Sequence, residues 1–187
     1  LQVAVLAGMV MVVLLHVTLG DPELFWAPIV RDLAEEMQRR GLPMDVAQDG
    51  LVETLARTLW GWVTVLTVLL AMCALFLARW WQVRPQQPGQ FGAEFQQLRL
   101  GKVLGVAAAL AIGASLLTDR PLVDDLGRLF MGALMAVGLA AAHRFKAEGR
   151  LNAGWLWAIY SLLVVAAPVM VAALAGGGFV DHWLRSQ

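Results

Sequence analysis

Charged residues are scarce in this chain. Asp, Glu, Lys and Arg make up 15% of its 187 residues, whereas 59% of the residues are hydrophobic. A soluble domain usually has roughly a quarter of its residues charged and about half apolar. The mean hydropathy of +0.68 departs from that norm in the same direction. The composition therefore predicts a membrane protein and excludes an ordinary soluble domain.

Other absences exclude classes of function. The formal net charge is zero, so charge gives no reason to expect a nucleic-acid partner. The single cysteine, Cys73, excludes an internal disulfide, and its position in an apolar run is typical of a small packing residue. The sequence has no nucleophile motif, phosphate-binding glycine loop or zinc signature. We therefore predict that the chain is not an enzyme and has no cofactor, metal site or catalytic residue.

Histidines, which often bind metals, are few and far apart in this sequence. No two histidines have the close spacing of a metal motif, and His16 and His143 lie near the ends of apolar runs. Asp119, Asp124 and Asp125 form a small acidic cluster. Cation binding is one interpretation of this cluster, but solvated loop and helix-capping roles are favoured.

Long apolar runs make up much of the sequence. A helix needs roughly 20 mainly apolar residues to cross about 30 Å of hydrocarbon. Five runs reach or approach this length, at 1–19, 59–77, 103–117, 126–142 and 155–174, and their middles lack charged residues. The predicted fold class is all-α: a polytopic transmembrane helical bundle with about five membrane spans and one or two interfacial amphipathic helices. Residues 1–187 form a single integral membrane domain in this interpretation.

The first residues resemble the inside of a span. The chain starts without Met and already within an apolar run, and no basic segment precedes it as in a signal peptide. We expect that the first span is cut and that earlier spans belong to a longer protein.

The connections between the runs differ in charge. Segments 79–102 and 144–153 together hold seven basic residues and two acidic ones, whereas the other connections are balanced or acidic. Cytoplasmic loops of membrane proteins carry an excess of Lys and Arg. We therefore predict that these two segments are cytoplasmic and that segment 21–57 and the C-terminal tail are external.

The external segment 21–57 begins with helix signals. Asp21 can cap a helix, and Pro22 suits the first helical position, although Pro28 is an alternative start. Apolar residues then recur every four positions at Phe25, Ile29, Leu33 and Met37. The pattern favours an amphipathic helix that rests on the outer leaflet, with a lid over a pocket as the functional alternative.

The cytoplasmic loop 79–102 has three parts. Trp80 and Trp81 are typical of an aromatic belt at the end of the second span. Two prolines and a glycine then end the helix, at Pro85, Pro88 and Gly89. Residues 93–102 form a short amphipathic pattern that would lie in the membrane interface. Its candidate lipid or partner contacts are Phe95, Leu98, Arg99 and Lys102.

Small residues predict how some spans pack. They recur every four positions in the third span, at Gly101, Gly105, Ala109 and Gly113, and in the fourth span, at Gly132, Ala136 and Ala140. Such spacing lets helix backbones approach closely, so we predict a tight antiparallel hairpin between these two spans. Pro168 predicts a kink in the fifth span. Four large aromatic residues with a polar group are candidate cavity-lining residues, namely Trp60, Trp62, Trp157 and Tyr160.

Several motifs resemble a known family. They are "LARWWQ" at 77–82, "PGQF" at 88–91, "EFQQLRLG" at 94–101, "GRLNAGWLWAIYSLLVVAAP" at 149–168 and "FVDHWLRSQ" at 179–187. In this order they resemble the YybS-like family of predicted bacterial inner-membrane proteins, a domain of unknown function, from about residue 55 onward. The resemblance implies a multi-pass protein of the bacterial inner membrane. In size and helical layout the family is also distantly similar to the substrate-binding membrane subunits of energy-coupling-factor vitamin transporters.

Two functions are compatible with these features. The first is a transport component that binds a small molecule in a cavity between helices. The second is a non-enzymatic membrane scaffold for cell-envelope assembly or division, which would hold a membrane protein partner at its cytoplasmic surface. Membrane lipids are partners in both cases.

Overall fold

The computed structural model describes residues 1–41, 50–83 and 89–185, and within these ranges the chain is all-helical, without strands. The all-α prediction is thus confirmed for the described part of the chain. Its helices are α1 (Gln2–Leu19), α2 (Pro22–Arg39), α3 (Leu51–Val83), α4 (Gln90–Gln96), α5 (Lys102–Ser115), α6 (Pro121–Ala147), α7 (Ala153–Val165) and α8 (Ala167–Leu184). Pro85 and Pro88, which were predicted to end a helix, lie outside the described residues, as do residues 42–49 of the external segment.

Among the described residues, four helices are long and apolar enough to cross a membrane, namely α1, α3, α6 and α8. Helices α5 and α7 are apolar but shorter. Helix α3 has 33 residues, which correspond to roughly 50 Å at 1.5 Å per residue and exceed the hydrocarbon thickness. The first turns of α3 pack against α2, where Arg31 and Glu53 form an ion pair of 3.2 Å.

Helix α2 begins where its capping signals predict. The Asp21 side chain accepts a hydrogen bond of 2.8 Å from the backbone N–H of Glu23, and Pro22 is the first helical residue. Pro28 lies inside the helix and does not mark its start. Gly41, which follows the end of α2, has the positive φ of 77° that glycine adopts without strain.

Helix α6 is the centre of the bundle, because it contacts α1, α3, α5 and α8 along its length. It supplies more of the buried apolar side chains than any other helix described, and Leu129, Phe130, Leu134 and Val137 are almost completely buried. Since lipid provides little hydrophobic drive for helix association, close packing of these side chains is what holds the helices together.

The backbones of α6 and α8 approach each other most closely at two glycines, Gly138 and Gly178. A Cβ atom at Gly178 would lie 2.7 Å from the backbone nitrogen of Gly138 and would overlap the carbonyl oxygen of Leu134. A Cβ atom at Gly138 would in turn overlap the carbonyl oxygen of Leu174. The two helices therefore cross at these two glycines, and a hydrogen bond between the ends of α6 and α8 shows that they run parallel.

The predicted fifth span, 155–174, is two helices instead of one. The chain reverses at Ala166, so α7 leads away from the end of α6 and α8 returns beside α6. Pro168 lies in the first turn of α8, where a missing backbone N–H removes no helical hydrogen bond. It therefore helps to start a helix instead of kinking one.

This reversal also changes the position of the C-terminal tail. Arg144, near the end of α6, donates a hydrogen bond to the carboxylate of Asp181, near the end of α8. The tail and the segment after α6 consequently lie at one end of the bundle. The charges of the connecting segments had predicted opposite sides of the membrane for them.

Helices α5 and α6 do pack against each other, as the predicted hairpin requires. The small residues, however, serve several helix pairs. A Cβ atom at Gly132 would lie 3.1 Å from Val65 of α3, and one at Gly105 would overlap the imidazole of His182 of α8. Gly113 faces open space. Gly127, which was not part of the predicted stripe, faces Ser115 of α5.

The two ends of the bundle differ in charge. The basic end, where α3, α6 and α8 finish, has seven basic and three acidic residues among those described: Arg79, Arg99, Lys102, Arg144, Lys146, Arg150 and Arg185 against Glu94, Glu148 and Asp181. The acidic end, where α3 and α6 begin, has six basic and nine acidic residues in the same ranges.

Candidate functional site

A cavity of about 550 Å³ lies near the basic end, between α3, α4, α6 and α7. Small-molecule sites usually have volumes of roughly 300 to 1,000 Å³ and mostly apolar walls. The walls here are mainly apolar and aromatic, with residues from all four helices: Leu69, Met72, Cys73, Phe76, Phe91, Gly92, Phe95, Gln96, Met135, Ala136, Leu139, His143 and Tyr160.

Helix α4 covers the cavity and is fixed to α3 by charge. The guanidinium of Arg79 donates two hydrogen bonds, of 2.8 and 2.6 Å, to the carboxylate of Glu94. These hydrogen bonds lower the pKa of the Glu94 carboxyl below its ordinary value. Helix α4 starts at Gln90, directly after Gly89 with its φ of 95°. It thus begins and ends earlier than the predicted helix over 93–102.

Aromatic packing holds α4 from its other side. The Phe76 ring of α3 packs edge-on against Phe95, with ring centroids 5.6 Å apart, and also contacts Phe91. Phe95 in turn packs edge-on against His143 of α6 at 5.5 Å. The apolar face of α4 therefore points into the bundle.

One polar pair interrupts the apolar walls. His143 Nε2 and the Tyr160 hydroxyl lie 2.9 Å apart and form a hydrogen bond whose donor depends on the imidazole tautomer. Tyr160 and Cys73, which line the cavity from α7 and α3, are both exposed. The cavity therefore opens between α3 and α7, on the surface that would face lipid.

The predicted aromatic site residues lie in different parts of the structure. Of the aromatic candidates, Tyr160 lines the cavity, whereas Trp60 is only 3% exposed and packs against Phe25 and Trp26. Trp62 and Trp157 are 51% and 76% exposed, as expected of residues that face lipid or its interface.

The predicted contacts on and after α4 also differ from one another. Phe95 is turned into the cavity, and Leu98 is half-buried. Arg99 and Lys102 are exposed at the basic end. Of these four residues, only the two cations are thus fully presented to a lipid surface or a partner.

Sequence reasoning missed His143 and Cys73 as cavity residues. The sequence places His143 near the end of an apolar run and favours a packing role for Cys73. A signal was present: Met135, Leu139 and His143 recur every four residues on α6, which places them on one helix face. The pattern alone does not show whether such a face lines a cavity or a closed core.

A second polar group is buried at the acidic end. Asp125 is completely buried, and Arg128 Nη1 donates a hydrogen bond of 2.7 Å to its Oδ1 atom. His16 Nε2 of α1 lies 3.5 Å from Oδ2. A Cβ atom at Gly61 of α3 would overlap the carboxylate, so only glycine permits this approach. The favoured interpretation of the acidic cluster as solvated is therefore wrong for Asp125.

This buried group joins three helices, α1, α3 and α6. Thr64, one turn along α3 from Gly61, is also completely buried, and its hydroxyl has no partner among the described residues. A cavity of about 530 Å³ at the acidic end reaches His16 from outside. Within the described ranges no group of three or more His, Cys, Asp or Glu residues is placed to hold a metal ion.

No family model, curated protein or solved structure matches the chain in the three comparisons made. The resemblance to the YybS-like family therefore stays a prediction from the sequence motifs.

Proposed function

We propose that this chain is a multi-pass protein of the bacterial inner membrane that binds a small amphipathic molecule and acts as a component of its transport. The observation that carries the proposal is the cavity under α4, with its apolar walls and its single His143–Tyr160 pair. Its volume suits one small molecule, and its mouth faces the membrane.

The walls define the chemistry of the ligand. Aromatic and aliphatic side chains stabilise an apolar body by removing it from water or by close packing. The imidazole and hydroxyl of His143 and Tyr160, with Gln96 nearby on the wall, provide hydrogen bonds for one polar head group. The ligand class is thus an apolar compound with one uncharged or weakly polar head, such as a fat-soluble vitamin, a prenyl quinone or a long-chain alcohol.

The charge of the two ends suggests where binding takes place. The cavity lies near the basic end, which the charge rule assigns to the cytoplasm. Because the mouth lies between α3 and α7, a ligand would enter from the inner leaflet. Helix α2, for which a lid over a pocket was the alternative interpretation, lies at the other end of the bundle and does not cover this cavity.

Filling the cavity tests the proposal. Gly92 of α4 lines the cavity, and a Cβ atom there would meet nothing within 4 Å, so the side chain of Gly92→Leu starts in open space and can occupy part of the cavity. A ligand that binds only the folded state raises its stability by about 2.7 kcal/mol at a hundredfold excess over Kd. We expect a saturable rise in Tm of the purified protein with a compound of this class, and loss of that rise in Gly92→Leu.

Ala93→Leu is the matched control. It adds the same side chain to the same helix, but Ala93 is exposed and does not line the cavity. This variant should keep the ligand-dependent rise in Tm. Equal responses of the two variants to a stabilising compound would place the binding site elsewhere and contradict the proposal.

The scaffold function is the second candidate, and the exposed cations Arg99 and Lys102 favour it. Since Phe95 is held against Phe76 and His143, a partner would bind through these cations and not through Phe95. We expect that the double variant Arg99→Glu, Lys102→Glu abolishes crosslinking to a scaffold partner in membranes. Unchanged crosslinking in that variant would remove the support that these residues give to the scaffold function.

A further inference from the structure

Three guanidinium groups converge at the basic end from different parts of the chain. Arg144 is near the end of α6, Arg185 follows α8, and Arg99 precedes α5. Arg144 donates a hydrogen bond to Asp181 Oδ1, and Arg185 Nη1 lies 3.7 Å from Asp181 Oδ2. A Cβ atom at Gly105 would overlap the imidazole of His182, so the start of α5, with Arg99 before it, lies against the end of α8. Burial, and then the nearby charges of Arg144 and Arg99, lower the pKa of Arg185.

The carboxylates present do not balance these cations. Asp181 is shared between Arg144 and Arg185. Glu148 lies 3.5 Å from Arg144 but also 3.6 Å from a further cation, Arg150. The cluster of Arg99, Arg144 and Arg185 thus has one carboxylate of its own, Asp181, and shares Glu148 with Arg150 outside it, so the cluster has an excess of positive charge.

One donor in the cluster is left without an acceptor. The Arg144 side chain is only 16% exposed, and its Nη1 atom is buried with no hydrogen-bond partner among the described residues. A buried charged donor without an acceptor costs free energy, and like charges at this distance repel. An anion with several oxygen atoms would accept a hydrogen bond from Arg144 Nη1 and would reduce the repulsion between the guanidinium groups.

We propose that Arg99, Arg144 and Arg185 form a binding site for a phosphate ester, with the head group of an anionic phospholipid as its natural form. The planar guanidinium group matches phosphate oxygens in pairs, and an excess of positive charge suits a phosphate better than a neutral ligand. Basic pockets between helices at the cytoplasmic face are positions where lipid phosphates lie. This site does not depend on the cavity under α4.

Binding of defined lipids to the purified full-length chain tests the site. The probes are phosphatidylglycerol and uncharged diacylglycerol with the same acyl chains, and glycerol 3-phosphate as a soluble phosphate ester. Native mass spectrometry of the protein in neutral detergent measures the bound fraction of each probe. We expect phosphatidylglycerol to bind in preference to diacylglycerol, and Arg185→Gln or Arg99→Gln to weaken that binding about tenfold, as expected for the loss of one charge-assisted hydrogen bond.

Arg150→Gln is the matched control, because Arg150 lies at the same end but is exposed and stacks on Phe145. It should change the affinity less than twofold in the same assay. Circular dichroism confirms that each variant is folded; Arg99 is exposed, so its variant stays informative if Arg185→Gln does not fold.

The outcomes separate the possible sources of phosphate. Binding of glycerol 3-phosphate with the same dependence on Arg99 and Arg185 would also support the site, with a soluble ester as its ligand. Equal binding of phosphatidylglycerol and diacylglycerol would overturn the proposal. So would an equal loss of phosphatidylglycerol binding in Arg150→Gln, because this would show a general effect of positive charge.

Discussion

Replacing Gly178 with alanine should lower the free energy of unfolding by about 2 to 3 kcal/mol, the upper part of the usual cost of overpacking. The added Cβ atom would overlap the carbonyl oxygen of Leu134 and approach the backbone of Gly138 to 2.7 Å. Both obstacles are backbone atoms, which no change of side-chain rotamer can move. Helices α6 and α8 would have to separate, and the core around Leu134 would loosen with them.

Gly177→Ala is the control for this prediction, because a Cβ atom at Gly177 meets nothing within 4 Å. This change should keep the stability or raise it by up to about 1 kcal/mol, since alanine favours a helix more than glycine does. Unfolding in mixed micelles with increasing SDS measures both variants. If the two variants lose the same stability, the close parallel contact of α6 with α8 does not exist.

Asp125→Asn should lower the free energy of unfolding by about 3 kcal/mol, because it leaves the partly buried charge of Arg128 without its carboxylate. The asparagine side chain has nearly the same shape, so the loss would reflect charge more than packing. The double variant Asp125→Asn, Arg128→Gln should recover part of this loss, since no buried charge then lacks a partner. The same SDS-dependent unfolding measures these variants.

Asp124→Asn provides the comparison for the neighbouring carboxylate. Asp124 is one residue away in the first turn of α6 but is only partly buried. Its contribution is the interaction with the helix dipole, so the expected loss is within about 1 kcal/mol. A loss at Asp124 as large as that at Asp125 would contradict a specific role for the buried cluster of Asp125, Arg128 and His16.

Local features of the fold were predictable from the sequence because their causes are local. Asp21 and Pro22 satisfy the first turn of α2 by themselves, so the start of that helix is readable from two residues. The apolar runs similarly predict α1, α3 and α6, because hydropathy adds along one segment.

The reversal at Ala166 was not predictable in this way. A continuous apolar run has the same hydropathy whether it forms one helix or two that turn back on each other. Pro168 is compatible with a kink and with the first turn of a new helix. The contacts of Gly138 with Gly178 and of Arg144 with Asp181 decide between them, and both join residues about forty positions apart.

The cavity under α4 and the burial of Asp125 also depend on contacts between residues far apart in the sequence. Asp125 has the local features of a solvated helix start, and only the approach of His16 and Gly61 from other helices buries it. Phe95 has the local features of an interfacial residue, but Phe76 and His143 turn it inward. Amphipathic patterns show which residues share a face but do not show what covers that face.

A ligand in the cavity under α4 would cover Cys73, so this cysteine reports on the cavity directly. It is the only cysteine of the chain, it lines the cavity, and it is exposed at the mouth. The measurement is the rate at which a membrane-permeant maleimide labels Cys73 while a stabilising compound is titrated. We predict that labelling slows in a saturable way, at the same concentrations that raise Tm.

Leu70→Cys in a Cys73→Ala background is the matched control, because Leu70 is exposed on the same helix but does not line the cavity. Its labelling rate should not change with the compound. If a compound raises Tm but leaves the labelling of Cys73 unchanged, or slows both cysteines equally, the ligand does not occupy this cavity and the proposed function is wrong.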